Sequence, residues 1–391
     1  MEQVRLGIIG IGNMGTAHAR SLMAGEVPEM KLTAVADVNP ARLTWAEENL
    51  PGVARFDDAE QLMTSGLVDA VLVAVPHYFH PPMVISALGH GLHAISEKPA
   101  GVYTKAVREM NEVAAKSDKT FAIMFNQRTN CVYRKMREII ATGGIGQLQR
   151  VNWIITNWYR TQYYYDTGSW RATWKGEGGG VLINQAPHQL DLIQWVLGEM
   201  PVKVRGFCGY GKWHDIEVED DVTAYFEYAN GATGVFITTT GEAPGVNRFE
   251  VVGTLGSLIC ENDKLVYYKN AEDSHVFSGR AQNSFASPEC KAAEVETDGQ
   301  NPQHAGILNN FARAILGKEA LYVDGKEGVN GVELMNAIEY SGWHNGEEVA
   351  LPVDGKKYLA ELNKRAAASR YKSVDDSVVT DNSGSYGSTK K

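Results

Sequence analysis

The chain is predicted to fold in two parts: an α/β domain with a doubly wound parallel sheet, then an α+β domain built on a large, open-faced and mostly antiparallel sheet. Three observations predict it. A strand and a glycine turn over Arg5–Gly15, then a helix from Thr16 to Ala24, open the sequence. Short apolar runs then alternate with helical segments as far as about residue 130, the pattern of a parallel sheet. From about Cys131 strand-like runs follow one another without helices between them, which points to antiparallel pairing. The expected division is 1–130, 131–370, and a polar tail over 371–391 rich in Ser, Asp, Gly and Thr.

In the opening segment, Gly10 permits a tight turn, Gly12 lets a pyrophosphate approach the backbone, and Gly15 lets helix and strand pack closely. A second apolar run, Leu32–Ala36, ends in Asp37 about twenty residues after the last glycine, where an acid accepts hydrogen bonds from ribose hydroxyls and repels a 2′-phosphate. The pattern is that of a Rossmann domain binding NAD in preference to NADP, with Arg42 as the counter-signal. The elements continue as helix Ala41 to Leu50, strand Val53 to Phe56, helix Ala59 to Ser65 and strand Ala70 to Val75. Pro76, His77 and His80 follow at that strand's carboxyl end, on the cofactor side. No acid or cysteine stands beside the two histidines to complete a metal site, and none is expected.

The run Gly91–Ile95 reads as the end of a buried strand, and Pro99 cannot continue a ladder, so Glu97-Lys98-Pro99 falls at a carboxyl edge where ligands bind in such sheets. A helix over Thr104–Lys116 and a strand over Phe121–Phe125 complete the domain at Asn126-Gln127-Arg128. Beyond a helix at Tyr133–Thr142, strands are expected at Leu148–Tyr159, Lys203–Gly209, Asp221–Tyr228, Thr233–Thr240, Phe249–Gly253 and Leu265–Tyr268. Asn230-Gly231 is a type I′ hairpin signal. One face of this sheet needs a cover and the other suits a second copy, so a homodimer or homotetramer through the C-terminal sheet is expected.

Composition bounds the function. The chain has 391 residues, 44% hydrophobic content, 40 glycines and a formal charge of -10, which suit a folded small-molecule enzyme and argue against nucleic acid or an anionic membrane surface as partner. No leader or membrane-spanning run is read at the N-terminus, so a cytoplasmic protein is expected. Cys131, Cys208, Cys260 and Cys290 lack a paired spacing and read as reduced and structural.

The second half of the chemistry lies at Gly178-Gly179-Gly180 followed by Asn184 and His188. Pro187 belongs in the first turn of a helix, so that helix is expected to start near Asn184, with Asn184 and His188 one turn apart at its positive end. The glycines either admit a ligand or form a turn. His188 taken alone suits a packed helix histidine; beside a lysine aimed at a nicotinamide it suits catalysis. Trp158, Tyr159, Tyr163, Tyr164, Tyr165, Trp170 and Trp174 crowd one segment, and aromatic faces suit the CH faces of a pyranose or cyclitol. Arg160, Arg171 and Asn126 are candidate polar contacts, with His304 a weaker one.

The glycine turn, Glu97-Lys98-Pro99, and the glycine run with Asn184 and His188 resemble the glucose-fructose oxidoreductase, inositol dehydrogenase and rhizopine-catabolism (Gfo/Idh/MocA) family of nicotinamide-dependent sugar oxidoreductases. The resemblance spans nearly the whole chain, through Asn309–Ile315 and a closing helix at Val332–Ser341. It implies an active site between a Rossmann domain and an open-faced sheet, with Lys98 and His188 matching the catalytic lysine and histidine. Many members carry aspartate where this chain has Asn184, which makes hydrogen bonding to substrate its expected role. The resulting site assignment is Lys98 and His188 for catalysis, and Lys98, Asn184, His188, Arg128, Tyr163 and Trp170 for substrate. For cofactor it is Gly10, Gly12, Asn13, Met14, Asp37, Arg42, Pro76, His77, His80, Glu97, Lys98, Asn126, Trp170 and Arg171. The expected reaction is NAD-dependent oxidation of a secondary hydroxyl of a sugar, glycoside or cyclitol, with either Lys98 or His188 as proton acceptor. An inositol dehydrogenase, a redox-neutral NAD-dependent glycosidase and a non-catalytic nucleotide-binding regulator are the alternatives.

Overall fold

A computed structural model describes residues 2–370 of the protein; the expected polar tail lies outside the described residues. The first sheet is built from β1 (Val4–Ile9), β2 (Met30–Ala36), β3 (Ala54–Phe56), β4 (Ala70–Val73), β5 (His93–Ser96) and β6 (Phe121–Ile123). All its pairings are parallel and its order is β3-β2-β1-β4-β5-β6. That is the doubly wound order in which ligands bind at the carboxyl ends, where strand order reverses between β1 and β4. The connecting helices are α1 (Asn13–Met23), α2 (Pro40–Asn49), α3 (Ala59–Thr64), α4 (His80–Gly89) and α5 (Thr104–Lys116). Their starts follow local chemistry: Asn39 accepts from the Ala41 amide ahead of Pro40, and Asp58 accepts from the Gln61 amide. β4 reads AVLV and is buried throughout, as a central parallel strand covered on both faces requires.

After α6 (Cys131–Ala141) the chain enters a nine-stranded sheet. Its strands are β7 (Leu148–Ile155), β8 (Lys203–Tyr210), β9 (Glu219–Glu227), β10 (Thr233–Thr239), β11 (Asn247–Gly253), β12 (Gly256–Glu261), β13 (Lys264–Asn270), β14 (Cys290–Glu294) and β15 (Val349–Ala350). The order is β14-β13-β12-β11-β7-β10-β9-β8-β15, antiparallel except for the parallel pair β7 and β10. Between β7 and β8 stand α7 (Gln162–Asp166), α8 (Val181–Asn184) and α9 (Pro187–Leu197); later helices are α10 (Ser274–Arg280), α11 (Gln303–Ile315), α12 (Gly328–Trp343) and α13 (Gly355–Ala367). Alternation along β7 turns Val151, Trp153 and Ile155 inward and leaves Asn152 and Ile154 on the open face. Trp153 stacks on Phe249 of β11 at 4.1 Å between ring centres.

Two local expectations are corrected, and three strands escape the sequence pattern. The strand begun at Leu148 stops at Ile155, short of Tyr159, because Asn157–Tyr159 leave the ladder toward α7. Asn230-Gly231 does turn a hairpin between β9 and β10, but only Gly231 has positive φ, so the turn is not type I′. β12, β14 and β15 gave no clear signal: β14 is exposed at every position and carries no apolar alternation.

Buried polar clasps join the two sheets' elements. Asn336 of α12 accepts from the Thr104 amide and donates to Val102 O, both at 2.9 Å, just downstream of Lys98-Pro99. Arg128, after β6, pairs with Asp191 of α9 through two nitrogens at 2.6 and 2.7 Å and with Glu327 at 2.6 Å.

Candidate active site

At the glycine turn, Gly10 has φ +87, and a Cβ on Gly15 would lie 1.9 Å from Gly10 O, so the latter admits no side chain. A Cβ on Gly12 would meet nothing within 4 Å. Open space there, at the N-cap of α1 and ahead of Asn13 and Met14, suits a pyrophosphate at a helix N-terminus. Asp37, at the end of β2, is oriented by the Ile11 amide at 2.8 Å on one oxygen and the Asn39 amide at 2.9 Å on the other. Each carboxylate oxygen keeps a lone pair for a ribose hydroxyl. Arg42 lies half-buried in the first turn of α2.

The carboxyl ends of β4, β5 and β6 deliver Pro76-His77, Glu97-Lys98 and Asn126. Among the described residues, His77 Nδ1, Asn126 Oδ1 and both ring nitrogens of His188 are buried without a hydrogen-bond partner. Buried polar atoms are normally satisfied, so four unpaired ones in these side chains mark a place for a polar ligand. The open space at Gly12, the spare lone pairs of Asp37 and these unpaired atoms fit the phosphate, ribose and amide groups that an NAD cofactor offers.

Lys98 leaves β5 and donates from Nζ to the main-chain oxygen of Asn184 at 3.0 Å. Burial pushes its pKa down, against the pull of Glu97 and Glu177. His188 is held well below the ordinary imidazole value by burial first, then by Lys98 and His304, so it is neutral at pH 7 and able to accept a proton. The expectation that one helix carries Asn184 and His188 is corrected. Asn184 closes the single turn α8, and α9 begins at Pro187, placing His188 in its first turn. The glycine triplet serves packing: a Cβ on Gly180 would lie 2.0 Å from Glu219 O, and the Gly180 and Leu182 amides donate to the Glu219 carboxylate.

Several assigned residues do other work. Arg128 is about 1% exposed and its guanidinium is taken by Asp191 and Glu327, so it clasps the fold and presents nothing to a substrate. His80 sets its ring nitrogens against two carbonyls, Nδ1 2.7 Å from Pro99 O and Nε2 2.8 Å from Val75 O, and its one N–H donates to one of them, bracing the loops after β4 and β5. Glu97 turns inward: one oxygen meets His18 Nε2 of α1 at 2.6 Å and the other accepts the Lys98 amide at 3.2 Å. Burial would raise its carboxyl, but His18, His304 and Lys98 outweigh that and hold it at about 2. Trp174 and Tyr165 are core residues, and Tyr163 is 66% exposed.

The inward ring is Tyr164. Its hydroxyl receives Arg171 Nη1 and, at 3.2 Å, Gln185 Nε2, and it faces Asn184 Oδ1 at 3.4 Å. Arg171 stacks over Tyr164 at 4.3 Å and Trp170 at 5.0 Å, while Trp170 meets His77 edge to face at 5.7 Å. Sequence reasoning missed His18, Glu177 and Gln185. Glu177 alone carried a signal, a lone acid inside a glycine run.

Fold and site together define a dinucleotide-binding oxidoreductase with a second, sheet-based domain. Residues 4–125 match the oxidoreductase family's NAD-binding Rossmann fold and residues 133–259 match the GFO/IDH/MocA C-terminal domain, and the chain belongs to the Gfo/Idh/MocA family. It is 29% identical over 206 residues to the rhizopine catabolism protein MocA of Rhizobium meliloti, covering 52% of this chain and 61% of that protein. It is 27% identical over 265 residues to the myo-inositol 2-dehydrogenase of Thermotoga maritima, covering 66% of this chain and 75% of that one. The WlbA dehydrogenase of Chromobacterium violaceum, solved with NADH and UDP-GlcNAcA, shares the fold with a TM-score of 0.78 at 24% identity, over 90% of this chain and 97% of that one.

Proposed function

We propose that this protein oxidises a secondary hydroxyl of a sugar, glycoside or cyclitol to a ketone with NAD, a glycoside 3-dehydrogenase being the finer reading. The observation that carries it is the pairing of Lys98, anchored on Asn184 O, with the unpartnered neutral ring of His188 at the carboxyl edge of an NAD-binding sheet. His188 takes the hydroxyl proton, and Lys98 stabilises the oxygen as negative charge develops. The nicotinamide, when bound, supplies the hydride acceptor. Asn184 Oδ1, Tyr164 and Gln185 offer hydrogen bonds to neighbouring hydroxyls, and Trp170 an apolar face. Relatives named as inositol 2-dehydrogenases and a levoglucosan dehydrogenase of Pseudarthrobacter phenanthrenivorans, 25% identical over 300 residues, support a cyclitol or pyranose substrate.

We also read 1–130 as the cofactor domain and 131–370 as the substrate and oligomerisation domain of a cytoplasmic homo-oligomer. Half-buried Ile154, Val235, Ile237, Val252 and Ile259 on the open sheet face support a second copy seated there. The free thiols support a reducing compartment. No described helix is long and apolar enough to cross a membrane.

The test is NADH formation against free hexoses, inositols and alkyl or aryl glucosides, with NAD and NADP in parallel and free aglycone assayed alongside. NAD-dependent absorbance with one sugar class supports the proposal; aglycone release without net NADH replaces it with redox-neutral hydrolysis.

A further inference from the structure

Glu177 is 1% exposed, at the start of the glycine run, and no part of the proposed chemistry yet uses it. One carboxylate oxygen accepts the Ala172 amide at 2.6 Å and the other accepts Asn184 Nδ2. Ala172 holds a left-handed φ of 53, unusual for a residue with a Cβ, so the first of these bonds fixes a strained link beside Trp170 and Arg171. The second bond matters most, because Asn184 is the residue whose main-chain oxygen receives Lys98.

Two guanidinium groups, Arg160 and Arg171, approach Lys98 from the α7 side, and the carboxyl groups of Glu97 and Glu177 oppose them. The rings of His77, His80, His188 and His304 face it from β4, α4, α9 and α11, each held below the ordinary imidazole value by burial. Glu97 is already bonded to His18. Burial raises the Glu177 carboxyl, against the pull of Arg171 and Lys98.

We propose that Glu177 is a positioning residue for the reaction, gripping the Asn184 amide so that its carbonyl stays fixed on Lys98, and supplying the carboxylate that keeps Lys98 an ammonium donor. This rests on the role given to Lys98 above. Without Glu177, the Asn184 side chain is left with its 3.4 Å contact to the Tyr164 hydroxyl, and Lys98 loses charge more readily. With it, Lys98 keeps one donor bond on Asn184 O and has two protons left for a developing alkoxide.

The experiment compares wild type with Glu177→Gln and Glu177→Asp. First, the pH dependence of Lys98 acetylation by acetic anhydride is read by peptide mass spectrometry, which needs no knowledge of the substrate. The Gln variant is expected to lower the Lys98 midpoint by about one pH unit, and the Asp variant to restore most of it. NADH affinity, read by fluorescence, stays within a few-fold. Second, on whatever sugar reduces NAD, Glu177→Gln lowers kcat about 10²-fold with a smaller change in KM, and its alkaline limb moves down with the Lys98 midpoint. A folded Gln variant with an unmoved midpoint overturns the proposal, whatever its activity. If that variant does not fold, Asn184→Ala decides by its kcat against its KM: wild-type kcat, or a loss confined to KM, overturns the proposal, and a tenfold or greater loss of kcat with KM and NADH affinity within a few-fold supports it. Failure of wild type to reduce NAD with any sugar would sink the functional reading instead, while the Lys98 midpoint still judges Glu177.

Discussion

Lys98 Nζ and the main-chain oxygen of Asn184 stand 3.0 Å apart across 86 residues of sequence. One group follows β5 of the parallel sheet and the other closes the turn that precedes α9, so a single bond ties the end of that sheet to the segment that carries His188. His188 follows one turn of chain later, with both ring nitrogens buried and unpaired among the described residues.

Removing either proposed catalytic group is expected to lower kcat/KM by about 10²–10⁴-fold. Lys98→Ala and His188→Ala would each be assayed with the sugar that the substrate screen identifies, alongside NADH titration by fluorescence. NADH affinity should stay within a few-fold, because Gly12 and Asp37 remain in place. Near-normal turnover in either variant would remove that residue from the mechanism.

Asp37→Ala should weaken discrimination between cofactors. The carboxylate is held by the Ile11 and Asn39 amides, and its loss removes both the ribose acceptor and the charge that opposes a 2′-phosphate. The expected result is a rise of about tenfold in KM for NAD, since a lost hydrogen bond to a charged group is worth about 1.5 kcal/mol or more. The ratio of kcat/KM for NAD to that for NADP should fall with it. A wild-type ratio in the variant would show that Asp37 does not choose the cofactor.

The parallel sheet was legible because its signals are local. The glycine turn with Asp37 and the abrupt end of the β5 run at Pro99 are read within a few residues, and they located Lys98. What sequence could not reach were partnerships set by tertiary packing. Arg128 sits at a strand's carboxyl edge, just like a ligand contact, yet Asp191 and Glu327 approach from remote segments and take its guanidinium. Tyr163 and Tyr164 are adjacent aromatics, and only the placement of α7 turns Tyr164 inward. The Asn184–His188 spacing of four looked like one helix face, but α8 closes at Asn184 and α9 opens at Pro187, so the two residues stand on either side of a break.

The correction at Arg128 carries its own test. Arg128 and Asp191 are each about 1% exposed, and removing one member of a buried pair strands the other charge, at a cost of about 3–5 kcal/mol. Arg128→Met and Asp191→Asn should therefore lower the free energy of unfolding in urea by about that amount, with NADH affinity preserved in the folded protein well below its melting temperature. A loss of substrate affinity at unchanged stability would return Arg128 to the substrate site.

His188 should also leave a signature in stability against pH. Its folded pKa is held well below 6.5 by burial, then by Lys98 and His304, so below pH 6.5 the unfolded chain binds a proton that the folded site refuses. The stabilisation is thus present above about pH 6.5 and lost as pH falls. Each pH unit below 6.5 over which the folded ring refuses its proton costs about 1.4 kcal/mol relative to one free to protonate. Total stability cannot isolate this contribution, because Glu219, raised by burial to about 7, binds its proton more readily when folded and acts in the opposite sense over the same range. Comparison with His188→Asn removes that opposing contribution, which both proteins share. Urea unfolding at pH 7.5, 6.5 and 5.5 should show wild type losing ground to the variant as the solution is acidified. A constant difference across the three would mean that His188 takes up its proton in the folded protein, and would withdraw it as the neutral base of the proposed reaction.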